Sequence, residues 1–361
     1  MSTISLCMIV KNEEEVLGRC LECMKELVDE IVIVDTGSED ATKEIASAYT
    51  NQVYDFAWED DFSKARNFAL AKGKGEYLMW MDADDVIGEQ YKDDFLKMKE
   101  SLGEADIIMM PYVTQFDLQG KPAFVYDRER IFKNHSGFRF QGRVHEAVTP
   151  AGKIQREGIP VEHRKTKPGD QDRNLRIYEK MREEGKSFNG RELYYYGREL
   201  LAHRQYQKGE KIFREFLGRE DGWEENKIDA ARQLAFCCYG LGDEDGALEA
   251  LLKSFLYDVP RGEICCDLGR HFMDRGRYRQ AAFWYQRALT AEKQQASGAF
   301  VQEECYDYLP AISLCVCYDR MGDIKTAEKY NELAGAFWPD SPSYHYNKEY
   351  FRSRKAEAEG G

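Results

Sequence analysis

At 361 residues the chain is too long for one average domain, and its 43% hydrophobic and 13% aromatic content supplies enough apolar surface for packed cores, which excludes global disorder. Its 65 acidic residues outnumber its 51 basic ones, for a formal net charge of -14, which argues against a general nucleic-acid or anionic-membrane binder, since both favour a basic face. Met1-Ser2-Thr3 is not a basic leader, the apolar run from Ile4 to Val10 stops at Lys11, and nothing reaches the ~18 apolar residues of a membrane span, so a cytoplasmic chain without an integral membrane segment is expected.

In chain order, Ile4–Val10 is a run of strand character. Asn12–Val28 follows with Val16, Leu17, Cys20, Leu21, Met24, Leu27 and Val28 on one helical face. Ile31–Val34 is a second strand, after which Ser38 or Asp40 can cap a helix running to Ala48. Gln52–Trp58 reads as a third strand, Phe62–Lys72 as a helix stopped near Gly73 and Gly75, Glu76–Met81 as a fourth strand, and Ala105–Tyr112 as a fifth beyond another helix. Such alternation implies a parallel, doubly wound α/β sheet, which binds ligands at the carboxyl ends of its strands. The polar clusters fall there: Lys11-Asn12-Glu13 after the first strand, Asp35 after the second, and Asp82 to Asp85 after the fourth.

Residues 113 to 165 have a different texture. Gln119-Gly120 marks a turn between strand-like pieces, and Arg128, Arg130, Arg139 and Arg143 accumulate with His135, His145 and His163, as in a cap or acceptor-side subdomain. Residues 166–187, including Lys167-Pro168-Gly169-Asp170, read as a helical connector. From 188 to about 350 the pattern is helical and repetitive. Glycines at 209, 242, 276 and 322 are read as turn glycines in similar surroundings, and Ala247, Ala281 and Ala327 follow the later turns. Apart from the last interval, lengthened by an insertion around Lys293–Glu304, the spacing is close to the ~34-residue period of tetratricopeptide repeats. The ten cysteines fall largely inside apolar helical patterns (Cys237-Cys238, Cys265-Cys266, Cys315 and Cys317), where a free thiol acts as a small core group. Cys20 and Cys23 form a lone C-x-x-C without the second pair a zinc site needs, so reduced thiols are expected.

Three motifs carry chemistry. Met79-Trp80-Met81-Asp82-Ala83-Asp84-Asp85 is an apolar strand emptying into a D-x-D-D cluster, whose carboxylates repel one another unless they share a cation, and this suits Mg²⁺ or Mn²⁺ held with help from diphosphate oxygens. In Val34-Asp35-Thr36-Gly37-Ser38-Glu39-Asp40, Asp35 can accept hydrogen bonds from a base or ribose, with Gly37 permitting the turn and Asp40 capping the next helix. In Asp61-Phe62-Ser63-Lys64-Ala65-Arg66-Asn67, an Arg-Asn pair on the first turns of a helix can face a nucleotide.

With the opening Ser5-Leu6-Cys7-Met8-Ile9-Val10-Lys11-Asn12-Glu13-Glu14, these motifs resemble the family 2 glycosyltransferases, densely over residues 4 to 87 and loosely to about 165. The chain is most similar to the subgroup with C-terminal tetratricopeptide repeats, which includes enzymes that S-glycosylate bacteriocin peptides. That resemblance implies a nucleotide-sugar domain of GT-A type over 1–165, a connector over 166–187 and a repeat array over 188–350. It implies metal-dependent, inverting transfer from a nucleotide-diphosphate sugar, usually UDP-linked. Val10, Glu13, Asp35 and Arg66 are then expected to flank the nucleoside, with Asp82 and Asp84 at the ribose, diphosphate and metal. Gly142-Arg143-Val144-His145-Glu146 and Val161-Glu162-His163 are similar to the subgroup too. An inverting transfer needs a carboxylate to deprotonate the acceptor, so Glu146 is the candidate base, with Asp127 next. His163 is expected as a further metal or diphosphate ligand and His145 as an acceptor-side contact. The Gln-x-x-Arg-Trp signature of processive synthases is missing, which disfavours polymer synthesis.

Other readings remain open at this level. A sugar-phosphate nucleotidyltransferase needs a glycine-rich loop after the first strand, and Lys11-Asn12-Glu13-Glu14-Glu15 stands there instead. An adaptor with an inactive nucleotide-binding domain is a second alternative, which intact Asp35, Arg66, Asp82 and Asp84 disfavour. The repeats suit a peptide or protein acceptor, or they could dimerise an enzyme whose acceptor is a glycan or lipid-linked sugar.

Overall fold

A computed structural model describes the chain apart from residues 1, 117–119, 121, 168, 295–300 and 361. It divides into two compact units, Met1–Lys186 and Ser187–Gly361.

The first unit is built on a nine-stranded sheet: β1 (Ile4–Val10), β2 (Glu30–Asp35), β3 (Val53–Asp55), β4 (Tyr77–Trp80), β5 (Asp85–Ile87), β6 (Ile107–Phe116), β7 (Pro122–Lys133), β8 (Ile154–Arg156) and β9 (Val161–His163). The strand order is β3-β2-β1-β4-β7-β6-β9-β5, with β8 paired to β6. Five helices accompany it: α1 (Leu17–Met24), α2 (Thr42–Ser47), α3 (Phe62–Leu70), α4 (Lys92–Ser101) and α5 (Arg173–Glu183). Because strand side chains alternate faces, β1 serves two cores. Ile4, Leu6, Met8 and Val10 pack with α1 and α4 through Leu17, Leu21, Met24, Phe95 and Met98. Cys7 and Ile9 join Ala69 and Leu70 of α3 on the other side.

The sheet departs from a wholly parallel one. Strands β3, β2, β1 and β4 are parallel, but β7 enters next to β4 in antiparallel sense, and β6 follows it. An antiparallel pair needs only a short connection, so the β6–β7 hairpin adds both strands at once. Part of its expected turn, residues 117–119, lies outside the described residues, while Gly120 has φ +77°. Two further differences shape the site. Helix α1 starts at Leu17 instead of near Asn12, because Asn12 adopts φ +55° and its own amide and that of Glu13 go to the Ser38 and Thr42 side chains. The end of the acidic cluster is no solvated turn: Asp85 begins β5, which pairs with β9 and sets Asp85 opposite His163.

The second unit is all helical: α6 (Gly190–Ala202), α7 (Tyr206–Leu217), α8 (Glu224–Gly240), α9 (Glu244–Lys253), α10 (Gly262–Met273), α11 (Tyr278–Thr290), α12 (Tyr308–Arg320), α13 (Ile324–Phe337) and α14 (Pro342–Gly360). The turns α6–α7, α8–α9, α10–α11 and α12–α13 share one hydrogen-bond pattern. Gln205 N donates to Leu200 O, Asp243 N to Cys238 O, Arg277 N to Phe272 O and Asp323 N to Tyr318 O, at 2.8 to 2.9 Å. This is the closure that follows a left-handed residue ending a helix. The left-handed residues are Arg204, Gly242, Gly276 and Gly322. Gly209 is therefore not the first turn glycine. It lies inside α7, buried, at the place that Ala247, Ala281 and Ala327 occupy in the later pairs, and a Cβ there would meet Cys237 Sγ at 3.0 Å. A small buried residue five positions after the left-handed one recurs in all four hairpins, which makes them repeats of one unit. Of the tyrosines that mark this region, Tyr194, Tyr196 and Tyr285 are buried in repeat cores, and Tyr195, Tyr206, Tyr239 and Tyr278 are half-buried. The expected insertion falls partly on residues 295–300, outside the described set; its far end returns to α10, where Gln302 N donates to Glu263 at 2.7 Å. No helix among the described residues is long and apolar enough to cross a membrane, and the described cysteines are free and buried, apart from half-buried Cys23.

Candidate active site

The carboxyl ends of β1, β2 and β4 converge on one set of loops. Val10 pairs in register with Asp35, and its carbonyl accepts from Thr36 N (2.9 Å) and Thr36 Oγ1 (3.0 Å), which locks the two loops together. Asn12 N donates to Ser38 Oγ (2.9 Å), Glu13 N to Thr42 Oγ1 (2.7 Å) and Glu39 N to Asn12 Oδ1 (2.8 Å). Asp40 accepts from Thr42 N at 3.0 Å, so it serves the start of α2 as expected, although Ala41 holds the capping position itself.

Asp35 is 2% exposed. Its Oδ1 accepts from Gly37 N and Ser38 N, both 2.9 Å, where Gly37 takes φ +103°. Its Oδ2 is buried with no partner. Buried acceptors are rarely left unsatisfied without a reason, so this oxygen is free to accept from a bound ligand. Arg66, on α3, is 7% exposed and bridges two carboxylates: Nη2 reaches Asp82 at 2.7 Å and Nε reaches Glu146 at 2.6 Å. Its Nη1 is buried without a partner. The guanidinium packs on Trp80 and Phe140, at 4.5 and 5.4 Å from the ring centroids. Asn67 binds the Phe140 backbone in both directions at 2.9 Å, which anchors the strand-free segment leading to Glu146.

The acidic cluster separates into distinct environments. Burial works against the charge of Asp82, but the Arg66 and Arg130 guanidiniums outweigh it and hold its carboxyl well below the usual carboxylate range. Asp84 is largely buried, its carbonyl accepts from Arg164 N at 2.9 Å, and its Oδ1 lies 3.1 Å from His163 Nδ1. Asp85 is fully buried. Burial alone would lower the pKa of His163, yet hydrogen bonds to Asp84 and Asp85 and their charges reverse this and raise it to about 9. Glu13 is pushed above the usual carboxylate value by burial and then by Asp84, against the opposing pull of Lys167.

The structure thus brings Val10, Glu13, Asp35, Arg66, Asp82, Asp84, Glu146 and His163 into one set of linked loops. Glu146 is nearly buried, with Oε1 committed to Arg66. His145 takes φ +49° and its ring stacks on Tyr178 of α5, 6.4 Å between centroids. Asp127 stands apart, half-exposed and 3.5 Å from Arg156. Sequence reasoning missed Trp80, Tyr112 and the specific place of Arg130, although the local run of arginines was a signal. Arg66, Arg128 and Arg130 all lie within 4.1 to 5.0 Å of the Trp80 ring.

Single donor atoms of Asp82, Asp85 and His163 lie within 4.8 Å of one another, and Asp84 adjoins the same imidazole. Carboxylate oxygens with one imidazole nitrogen suit Mn²⁺ or Mg²⁺. Two or three negative charges around one small space are stabilised by such an ion, so the residues fit it.

Residues 5–146 match the model of glycosyl transferase family 2. These residues are similar to a family 2 glycosyltransferase domain. A TPR repeat-containing protein of Synechococcus elongatus is 36% identical over 149 residues, covering 41% of this chain and 36% of the relative. The SPbeta prophage-derived glycosyltransferase SunS of Bacillus subtilis is 29% identical over 150 residues, covering 40% of this chain and 34% of the relative. The matched stretch therefore spans about a third of each of these relatives. Among solved structures, glucosyl-3-phosphoglycerate synthase from Mycobacterium tuberculosis with Mg²⁺ and uridine diphosphate is 23% identical over 31% of this chain and 44% of that one, with a TM-score of 0.27. The residues matched by the family model run from β1 through the antiparallel hairpin β6–β7 and include Asp35, Arg66, Asp82 and Glu146, while His163 lies beyond them.

Proposed function

We propose that this protein is a metal-dependent, inverting glycosyltransferase that moves a sugar from a UDP-linked donor to a side chain of a peptide or protein. The observation that carries the reading is the pair of unpartnered buried atoms, Asp35 Oδ2 and Arg66 Nη1, in the same loops as Asp82, Asp84 and His163. One is an acceptor and the other a cationic donor, which is the complement a nucleoside diphosphate needs.

In this reading Val10, Glu13 and Asp35 line the nucleoside, and Arg66 fixes Asp82 beside the ribose and diphosphate. Asp82, Asp84 and His163 would hold Mn²⁺ or Mg²⁺, which neutralises charge developing on the leaving diphosphate. Glu146 takes the acceptor proton through Oε2, because Arg66 already occupies Oε1. Arg66 thereby ties the base to the donor-binding carboxylate through a single rigid side chain. His145, held against Tyr178, is placed on the acceptor side.

The repeats of residues 188–350 support a polypeptide acceptor, because stacked helical hairpins provide an extended surface suited to one. Incubation of the full-length protein with cell lysate and labelled UDP-sugars, with Mn²⁺, tests this. Label is expected in protein and lost when EDTA replaces Mn²⁺. Label found only in extractable lipid or free glycan contradicts the polypeptide acceptor and leaves glycosyl transfer standing; no turnover of any donor favours an adaptor with an inactive domain.

A further inference from the structure

Asp85 lies close enough to Asp82 and His163 to share an ion with them, yet its surroundings point elsewhere. Its carboxylate is fully buried and meets four polar contacts, three of them donors and the fourth an imidazole nitrogen. Oδ1 accepts from Tyr112 Oη and faces His163 Nδ1, each at 3.1 Å. Oδ2 accepts from Arg130 Nη1 at 2.9 Å and from Asp82 N at 3.1 Å. A carboxylate offers about four lone-pair sites, so none remains.

Arg130 is equally enclosed. It is 0% exposed, and its guanidinium sits between the rings of Trp80 and Tyr112, 4.1 and 4.2 Å from their centroids. Its Nη1 also reaches Trp80 O at 3.4 Å, while Nε and Nη2 have no hydrogen-bond partner. The charge of Arg130 therefore depends on Asp85 for its direct ion pair. For Asp85 to take an ion, it would have to give up this guanidinium or the Tyr112 hydroxyl inside the protein, where an unpaired polar group is costly.

We propose that Asp85 is a positioning residue and not a metal ligand: paired with Arg130, it fixes the Asp82 backbone and the His163 ring, and leaves the ion to Asp82, Asp84 and His163. The proposal rests on the metal-dependent reading above. It also gives β5 a purpose, since pairing with β9 sets Asp85 against His163.

A double-mutant cycle on the full chain separates positioning from ligation. UDP affinity is measured by calorimetry with Mn²⁺ and with EDTA, alongside thermal unfolding, for Asp85→Asn, Arg130→Met and the double variant. Methionine keeps an unbranched, apolar fill between the two rings. Each single change strands one buried partner, and the Mn²⁺-dependent affinity is expected to fall about 30-fold, in the range seen when groups that orient metal ligands are lost. Affinity in EDTA should stay within about 3-fold, which general structural damage would not allow. Removing both partners together leaves no stranded charge, so the double variant should return to within about 5-fold of the unaltered protein. A double variant that folds yet binds in Mn²⁺ no better than Asp85→Asn overturns the proposal and makes Asp85 a ligand. If either single variant fails to fold, the double variant alone decides: Mn²⁺-dependent affinity within about 5-fold of the unaltered protein supports the proposal, and any larger loss overturns it. An unaltered protein whose UDP affinity ignores Mn²⁺ overturns the metal-dependent reading and this proposal together, a result distinct from a failed cycle in a metal-responsive protein.

Discussion

Replacing Asp84 by alanine is expected to weaken Mn²⁺-dependent UDP binding by at least about 100-fold while leaving the unfolding temperature within a few degrees. The residue follows β4 on a loop, and among the described residues it joins neither core and has His163 as its direct side-chain partner. Losing its carboxylate removes a hard oxygen ligand of the kind Mn²⁺ and Mg²⁺ require. The fold does not depend on it, since the loop stays anchored through Asp85 and through Arg164 N on the Asp84 carbonyl. Calorimetric titration with UDP in Mn²⁺ checks the prediction, and unchanged affinity would remove Asp84 from the site.

Glu146→Gln is expected to lower kcat by about 100-fold or more, because an amide keeps the shape of the side chain but cannot take a proton. Its carbonyl can still accept from Arg66 Nε, now as a neutral partner, so a modest rise in KM for the donor should accompany the loss. A base and a mere brace for Arg66 differ in this split. If Glu146 only positions Arg66, donor affinity falls and turnover at saturating donor survives. If it is the base, turnover collapses while UDP affinity stays within a few-fold. Steady-state kinetics with the donor varied, paired with UDP titration of the same variant, distinguishes the two.

Much of the site was legible because strand-end residues follow from strand boundaries. Val10, Asp35 and the cluster starting at Asp82 end apolar runs, and a doubly wound sheet places such ends together. The role of Asp85 was not legible. It depends on Arg130, whose strand lies antiparallel to β4 through a pairing that no local periodicity announces; Arg130 and Trp80 are 50 residues apart. A run of arginines near residue 130 was visible, but which of them is enclosed follows only from register. The repeats show the converse. Gly242, Gly276 and Gly322 announce their turns because glycine is the usual left-handed residue. The first turn uses Arg204, a residue rare at positive φ, so the glycine spacing points to Gly209 although it is the small buried residue inside α7. Asn12 likewise breaks a helical pattern that starts well in sequence, because its left-handed backbone joins the first two loops.

The central claim is that the first unit holds a nucleoside diphosphate together with a divalent ion. Calorimetry of the unaltered protein with UDP, in Mn²⁺ and then in EDTA, tests it most directly. Asp35 and Arg66 should give measurable binding in EDTA, and Asp82, Asp84 and His163 should make it at least about 100-fold tighter in Mn²⁺. Affinity that is the same in both buffers, or no UDP binding in either, would contradict the account.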